Sequence, residues 1–154
     1  MLRLSEILAP GAILCGCQNM SRDDLLEGLV AAASREYGWA DGAEVARRIL
    51  EREAKMPTSI GIGVAVPHAR MEDRSHIQVA AACVPAGLDF RASDHKPVRL
   101  VLLLVSPAAA PGIHVQALAS VSRITSPLVD QLVRSRTSEE FLMALRAWES
   151  NLSG

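Results

Sequence analysis

The chain has 154 residues, 49% of them hydrophobic and 21% charged, with a formal net charge of −1 and a pI near 6.4. A chain of this size buries roughly 70% of its unfolded surface and needs no disulfide, while its near-neutral charge and few aromatic residues exclude the basic, base-stacking surface of a nucleic-acid binder. No stretch approaches the ~18 apolar residues of a membrane span, and Arg3, Glu6 and Pro10 interrupt any export signal.

Cys15 and Cys17 are too close for an ordinary bridge and Cys83 lies in an apolar run, so the three cysteines indicate a reducing compartment. One cytoplasmic domain over 1–154, without membrane insertion, is the expectation.

After a short N-terminal segment, Ser21 with Asp24 predicts a capped helix carrying an apolar stripe of Leu25, Leu26, Leu29, Val30 and Ala33, closed by Gly38. Asp41 and Glu44 start a second helix, buried through Val45 and Ile49 and ending near Glu53. Arg52, three residues beyond Ile49, is expected on the inward side of its last turn.

Thr58 to Val66 reads as one glycine-punctuated strand. Ile60, Ile62, Val64 and Val66 alternate with Gly61, Gly63 and Ala65, leaving one face nearly bare. Pro67 has no N–H for the ladder, which puts His68 at the strand's exit.

Ile77–Val84 and Val98–Val105 are further strands, bounded by Pro85, Pro97 and Pro107, with a short extended piece at Gly87–Phe90. From Gly112 the pattern turns helical, with Val115, Leu118, Ala119 and Ser122 on one side and His114 in the first turn. Ser126-Pro127 opens another helix, and Thr137 with Glu140 caps a last one bearing Phe141, Leu142, Leu145 and Trp148. The pattern predicts an α/β fold, a single mixed β-sheet flanked by helices in a sandwich-like arrangement.

Four histidines are the side chains that titrate near neutrality. His76 and His95 lie in polar turns and read as solvated. His68 and His114 stand at junctions between regular elements and loops, and the dipole at a helix N-terminus would keep His114 neutral. A helix N-terminus, an arginine and two imidazoles together suit a phosphoryl group, although spacing alone does not bring Arg52, His68 and His114 together. Cys15-Gly16-Cys17 lacks zinc spacing, no HExxH pattern occurs, and no nucleotide-binding loop is present. No metal or cofactor is expected.

Arg52-Glu53 and the run Pro57-Thr58-Ser59-Ile60-Gly61-Ile62-Gly63-Val64-Ala65-Val66-Pro67-His68-Ala69-Arg70 resemble the phosphorylation-site motif of phosphotransferase system EIIA proteins of the fructose/mannitol type. Asp89-Phe90, Ala92, Asp94, Pro97-Val98, the following apolar strand, Pro107 and a helix with His114 follow the same family's order, so the resemblance covers almost the whole chain. Leu4-Ser5-Glu6-Ile7-Leu8 with Pro10 is similar to the start of its nitrogen-regulatory branch.

The resemblance implies that His68 accepts a phosphoryl group at Nε2 from an HPr-like or NPr-like phosphohistidine carrier. It implies that Arg52 and His114 support the transfer and that Thr58 orients His68 or binds a phosphate oxygen. The chain departs from the family pattern at Ser59, where glycine is usual, at Ile62, where many members have asparagine, and at Met56-Pro57, which replaces Gly-Ser.

Three readings follow from the resemblance. In the first, phosphorylation of His68 regulates binding to target proteins. In the second, a sugar-specific EIIA passes the group to an EIIB. In the third, the chain is a binding module without phosphorylation, suggested by Ser59 and Ile62.

Overall fold

Helix α1 (Leu4–Ile7) leads directly into strand β1 (Leu8–Leu14), followed by helices α2 (Arg22–Tyr37) and α3 (Gly42–Lys55). This computed structural model describes residues 2–153, so Met1 and Gly154 of the expected 1–154 domain lie outside the described residues. Three short strands come next, β2 (Ser59–Gly61), β3 (Val64–Ala65) and β4 (His68–Met71), then two long ones, β5 (Gln78–Leu88) and β6 (Val98–Pro107). Helices α4 (Pro111–Ser122), α5 (Ser126–Val133) and α6 (Ser138–Ser153) complete the chain.

The expected local signals act where the sequence puts them. Ser21 accepts the Asp24 amide at the start of α2, Gly38 closes that helix in the left-handed conformation, and Thr137 accepts the Glu140 amide at the start of α6. Asp41 precedes α3, but its carboxylate is taken by Arg74 instead of the helix amides.

All six strands among the described residues form one sheet of order β1-β5-β6-β3-β2, with β4 also paired to β6. It is mixed: β1 runs parallel to β5, β3 and β4 parallel to β6, and β5 antiparallel to β6. Strand alternation splits the core between the two faces. Val79, Ala81, Leu102 and Leu104 pack with Val121, Leu132 and Phe141 of α4–α6, whereas Ala80, Ala82, Val101 and Leu103 pack with Leu25, Leu29, Val45 and Ile49 of α2–α3. Leu100, Leu103 and Leu104 of β6 are wholly buried, each worth about 1.5–3 kcal/mol on transfer from water.

Four expectations need correction. Thr58–Val66 is a hairpin, not one strand: Gly61, Ile62 and Gly63 all have positive φ, the chain reverses at Ile62-Gly63, and β2 pairs antiparallel with β3. The glycines therefore make a turn instead of a bare strand face.

The N-terminal segment holds an unforeseen strand, β1. Pro85 does not end β5, because β1 pairs only as far as Leu14 with Ala82, and the missing N–H falls within an irregular stretch between Cys83 and Leu88. Gly87-Leu88 is thus the tail of β5. Finally, α4 buries Ala117, Ser120 and Val121, leaving Val115 exposed, because its covered side faces both the sheet and α1.

Candidate functional site

Strands β4 and β6 set the site. They run parallel in a register that pairs His68 with Leu104 and Arg70 with Ser106, and residues two apart on a strand share a face. Leu104 packs toward α4–α6 while Ala69 packs toward α2–α3, so His68, Arg70 and Ser106 lie on the α4 side of the sheet. Pro107 ends β6, Pro111 opens α4, and His114 falls in the first turn of that helix. The His68 and His114 rings meet with centroids 5.0 Å apart and planes at 58°.

Each imidazole is held through Nδ1. His68 Nδ1 lies 2.8 Å from the Val66 carbonyl oxygen. A carbonyl only accepts, so Nδ1 carries the hydrogen and Nε2 of the neutral ring keeps its lone pair. His114 Nδ1 lies 2.8 Å from the Ser106 hydroxyl. Burial pushes the His114 pKa down, and the neighbouring His68 and Arg70 add to the effect. The direction is the expected one, but its chief cause is desolvation and not the helix dipole.

Arg52 occupies the last turn of α3, half-buried, and its Nη1 donates to the Met56 carbonyl at 2.9 Å instead of to either imidazole. The residue turned inward beside it is Glu53, 1% exposed. Thr58 is buried too, and its hydroxyl hydrogen, expected for His68 or a phosphate oxygen, goes to the Glu53 carboxylate. A charged acceptor out of water takes the nearest donors. The Thr58 carbonyl in turn accepts the Val66 amide, which joins this anchor to the residue that orients His68.

Three residues of the site were given no role by the sequence, although Glu53 and Arg70 stand in the motif that carries the resemblance. Glu53 continues the Val45–Ile49 stripe of α3, and a carboxylate on a buried stripe was the available signal. Ser106 is the lone hydroxyl at the end of an aliphatic strand and is wholly buried. Arg70 shares the face of His68, and its Nη2 donates to the Ala108 carbonyl in the turn before α4.

Met56, Ile60 and Ile62, at the end of α3 and in the hairpin, and Val115, next to His114 on α4, are large apolar residues left exposed. His76 and His95 are exposed, with His76 bonded to Ser75. Among the described residues no cluster of His, Cys, Asp or Glu has the makings of a metal site, and no helix is long and apolar enough to cross a membrane. The arrangement sets an imidazole whose Nδ1 is engaged and whose Nε2 is left open beside a second imidazole, with the Arg70 guanidinium on the same face, a setting for a nucleophile that receives an anionic group.

A family model described as phosphoenolpyruvate-dependent sugar phosphotransferase system, EIIA 2, matches residues 6–148. A nitrogen regulatory protein of Bradyrhizobium diazoefficiens is 34% identical over 121 residues, 79% of this chain and 78% of that protein. Among solved structures, the nitrogen regulatory protein IIA-Ntr of Neisseria meningitidis superposes with a TM-score of 0.82 at 27% identity, covering 92% of this chain and 98% of its own. The mannitol enzyme IIA of Escherichia coli, solved in complex with phosphorylated enzyme IIB, shares the fold with a TM-score of 0.76 at 20% identity, over 90% of this chain and 96% of that one.

Proposed function

Because the chain belongs to the phosphoenolpyruvate-dependent sugar phosphotransferase system EIIA 2 family, we propose that it is a cytoplasmic phosphoryl carrier that takes a phosphoryl group on Nε2 of His68 and acts as a phosphorylation-dependent regulator. The observation that carries this reading is the bond from His68 Nδ1–H to the Val66 carbonyl, which leaves Nε2 as the nucleophile, 5.0 Å ring to ring from His114. The regulatory role is supported by the likeness to nitrogen regulatory proteins over most of both chains.

The donor is the phosphohistidine of an HPr-like or NPr-like carrier. Its N–P bond breaks as the bond to His68 Nε2 forms, and the donor nitrogen keeps the electron pair. As Nε2 becomes bonded, positive charge spreads over the His68 ring, and the Val66 carbonyl stabilises it through Nδ1–H. His114 donates to a phosphoryl oxygen, and the free donors of the Arg52 guanidinium spread the remaining charge. Thr58 acts by position, through Glu53 and Val66.

The exposed Met56, Ile60, Ile62 and Val115 supply the apolar contact for the docking carrier. A solved complex with phosphorylated IIB supports the sugar-uptake role as the second reading, in which an EIIB receives the group from His68.

The test is incubation with phosphorylated carrier followed by intact-mass measurement. Wild-type protein gains one phosphoryl group and His68→Ala, folded by circular dichroism, gains none. Folded wild type without the adduct, or an adduct on His68→Ala, overturns the proposal. Addition of EIIB separates the roles: discharge onto EIIB marks sugar uptake, and retention marks regulation.

A further inference from the structure

Ser106 carries an assignment that neither the family likeness nor its sequence position provides. It closes a strand of aliphatic residues, is wholly buried, and pairs in register with Arg70, two residues beyond His68. A buried hydroxyl in such a strand requires a partner. The partner is His114 Nδ1 at 2.8 Å, the one hydrogen bond of this side chain among the described residues.

The direction of that bond follows from a count of hydrogens. Were His114 Nδ1 to hold the hydrogen and donate it, the Ser106 O–H would be left buried with no acceptor, and an unsatisfied buried donor is costly. If the hydroxyl donates to Nδ1 instead, the buried hydroxyl hydrogen is used and the ring hydrogen sits on Nε2, on a half-buried side chain. The two histidines then hold opposite tautomers. His68 has Nδ1–H and a free Nε2, and His114 has a free Nδ1, filled by Ser106, and Nε2–H.

We propose that Ser106 is a positioning residue that holds His114 in its Nε2–H tautomer, so that His114 presents a hydrogen-bond donor to the phosphoryl group arriving at His68. The assignment rests on the phosphoryl-carrier reading above for its purpose, but the tautomer itself does not depend on it. Burial, which keeps the His114 ring neutral, makes the choice of tautomer matter, since an imidazolium would donate from both nitrogens regardless.

Long-range nitrogen–proton NMR on uniformly labelled, unphosphorylated protein reads the tautomer directly. Wild type is expected to show His114 with its hydrogen on Nε2 and His68 with its hydrogen on Nδ1. Ser106→Ala, which removes a single oxygen, is expected to release His114 toward a mixture and to slow transfer from phosphorylated carrier roughly 10-fold, the low end for losing the partner that fixes a functional imidazole. The loss is expected in the rate at saturating carrier and not in KM. Ser106→Thr, which keeps the hydroxyl, is expected to restore both.

Two outcomes overturn the assignment: wild-type His114 carrying its hydrogen on Nδ1, or Ser106→Ala with an unchanged tautomer and an unchanged rate. Wild type that shows the expected tautomers yet takes no phosphoryl group overturns the carrier reading instead and supports the Ser106–His114 bond.

Discussion

Thr58 gives both its backbone amide, at 2.9 Å, and its hydroxyl hydrogen, at 2.5 Å, to the carboxylate of Glu53. This clip spans the end of α3 and the start of the hairpin, and through the Thr58 carbonyl it reaches Val66, whose own carbonyl orients His68. A bond to a buried charge is worth about 1.5–3 kcal/mol. Thr58→Val, which keeps the amide bond, is expected to lose about 1–2 kcal/mol, and Glu53→Ala, which strands both donors, about 2–3 kcal/mol. Urea unfolding measures both, and equal losses in the two variants would count against the two-donor clip.

His114 makes stability pH-dependent. Its folded pKa lies below the unfolded value, so the unfolded chain binds the proton first as pH falls. The contribution is complete above the unfolded pKa of about 6.5 and is lost as pH drops from there to the depressed folded value. His114→Gln removes the titration. The stability of wild type relative to this variant is expected to decline as the pH falls from about 7.5 through the unfolded pKa of about 6.5 toward the depressed folded value. A difference constant over that range would show that the ring titrates alike in both states.

Ile62 holds φ at +51° at the tip of the hairpin, a conformation that costs a β-branched residue about 1–2 kcal/mol, while its side chain is exposed enough to recover little by burial. Ile62→Gly is expected to stabilise the fold by about 1 kcal/mol once the added freedom of the unfolded chain is subtracted. Ile62→Asn is expected to gain somewhat less. The same substitutions remove an apolar contact for the carrier, so KM for phosphorylated carrier should rise while the melting temperature rises with it. A fall in melting temperature for Ile62→Gly would contradict the strain.

Arg52 is half-buried and bonded to a carbonyl at the end of its own helix, so its removal disturbs little of the fold. Arg52→Lys is expected to change stability by less than about 0.5 kcal/mol. Because an ammonium has no planar fork for phosphoryl oxygens, transfer to His68 should slow roughly 10-fold. Stopped transfer assays with labelled carrier read the rate, and an unchanged rate would remove Arg52 from the site.

Features governed by neighbouring residues were legible in the sequence. The Ser21 and Thr137 caps, the left-handed Gly38 and the apolar run of β6 each depend on bonds or burial within a few positions, and composition and spacing report those well. The alternation at Ile60–Val66 fitted a strand and a hairpin equally. Only the partners on β6, where the Gly63 carbonyl accepts the Arg99 and Leu100 amides, favour the reversal.

By itself, then, the sequence determined that helices α2 to α6 form, where β6 lies, and that His68 follows a proline at the end of a glycine-rich segment, since each is fixed by local backbone chemistry, whereas the short helix α1 carried no such signal. Tertiary structure decided that His68 and His114 meet, that Ser106 fills one nitrogen of His114, and that Glu53 instead of Arg52 turns inward to take Thr58. Those pairings follow from the parallel register of β4 on β6 and from the packing of α3 and α4 against opposite faces of one sheet, which bring together residues that no local rule connects.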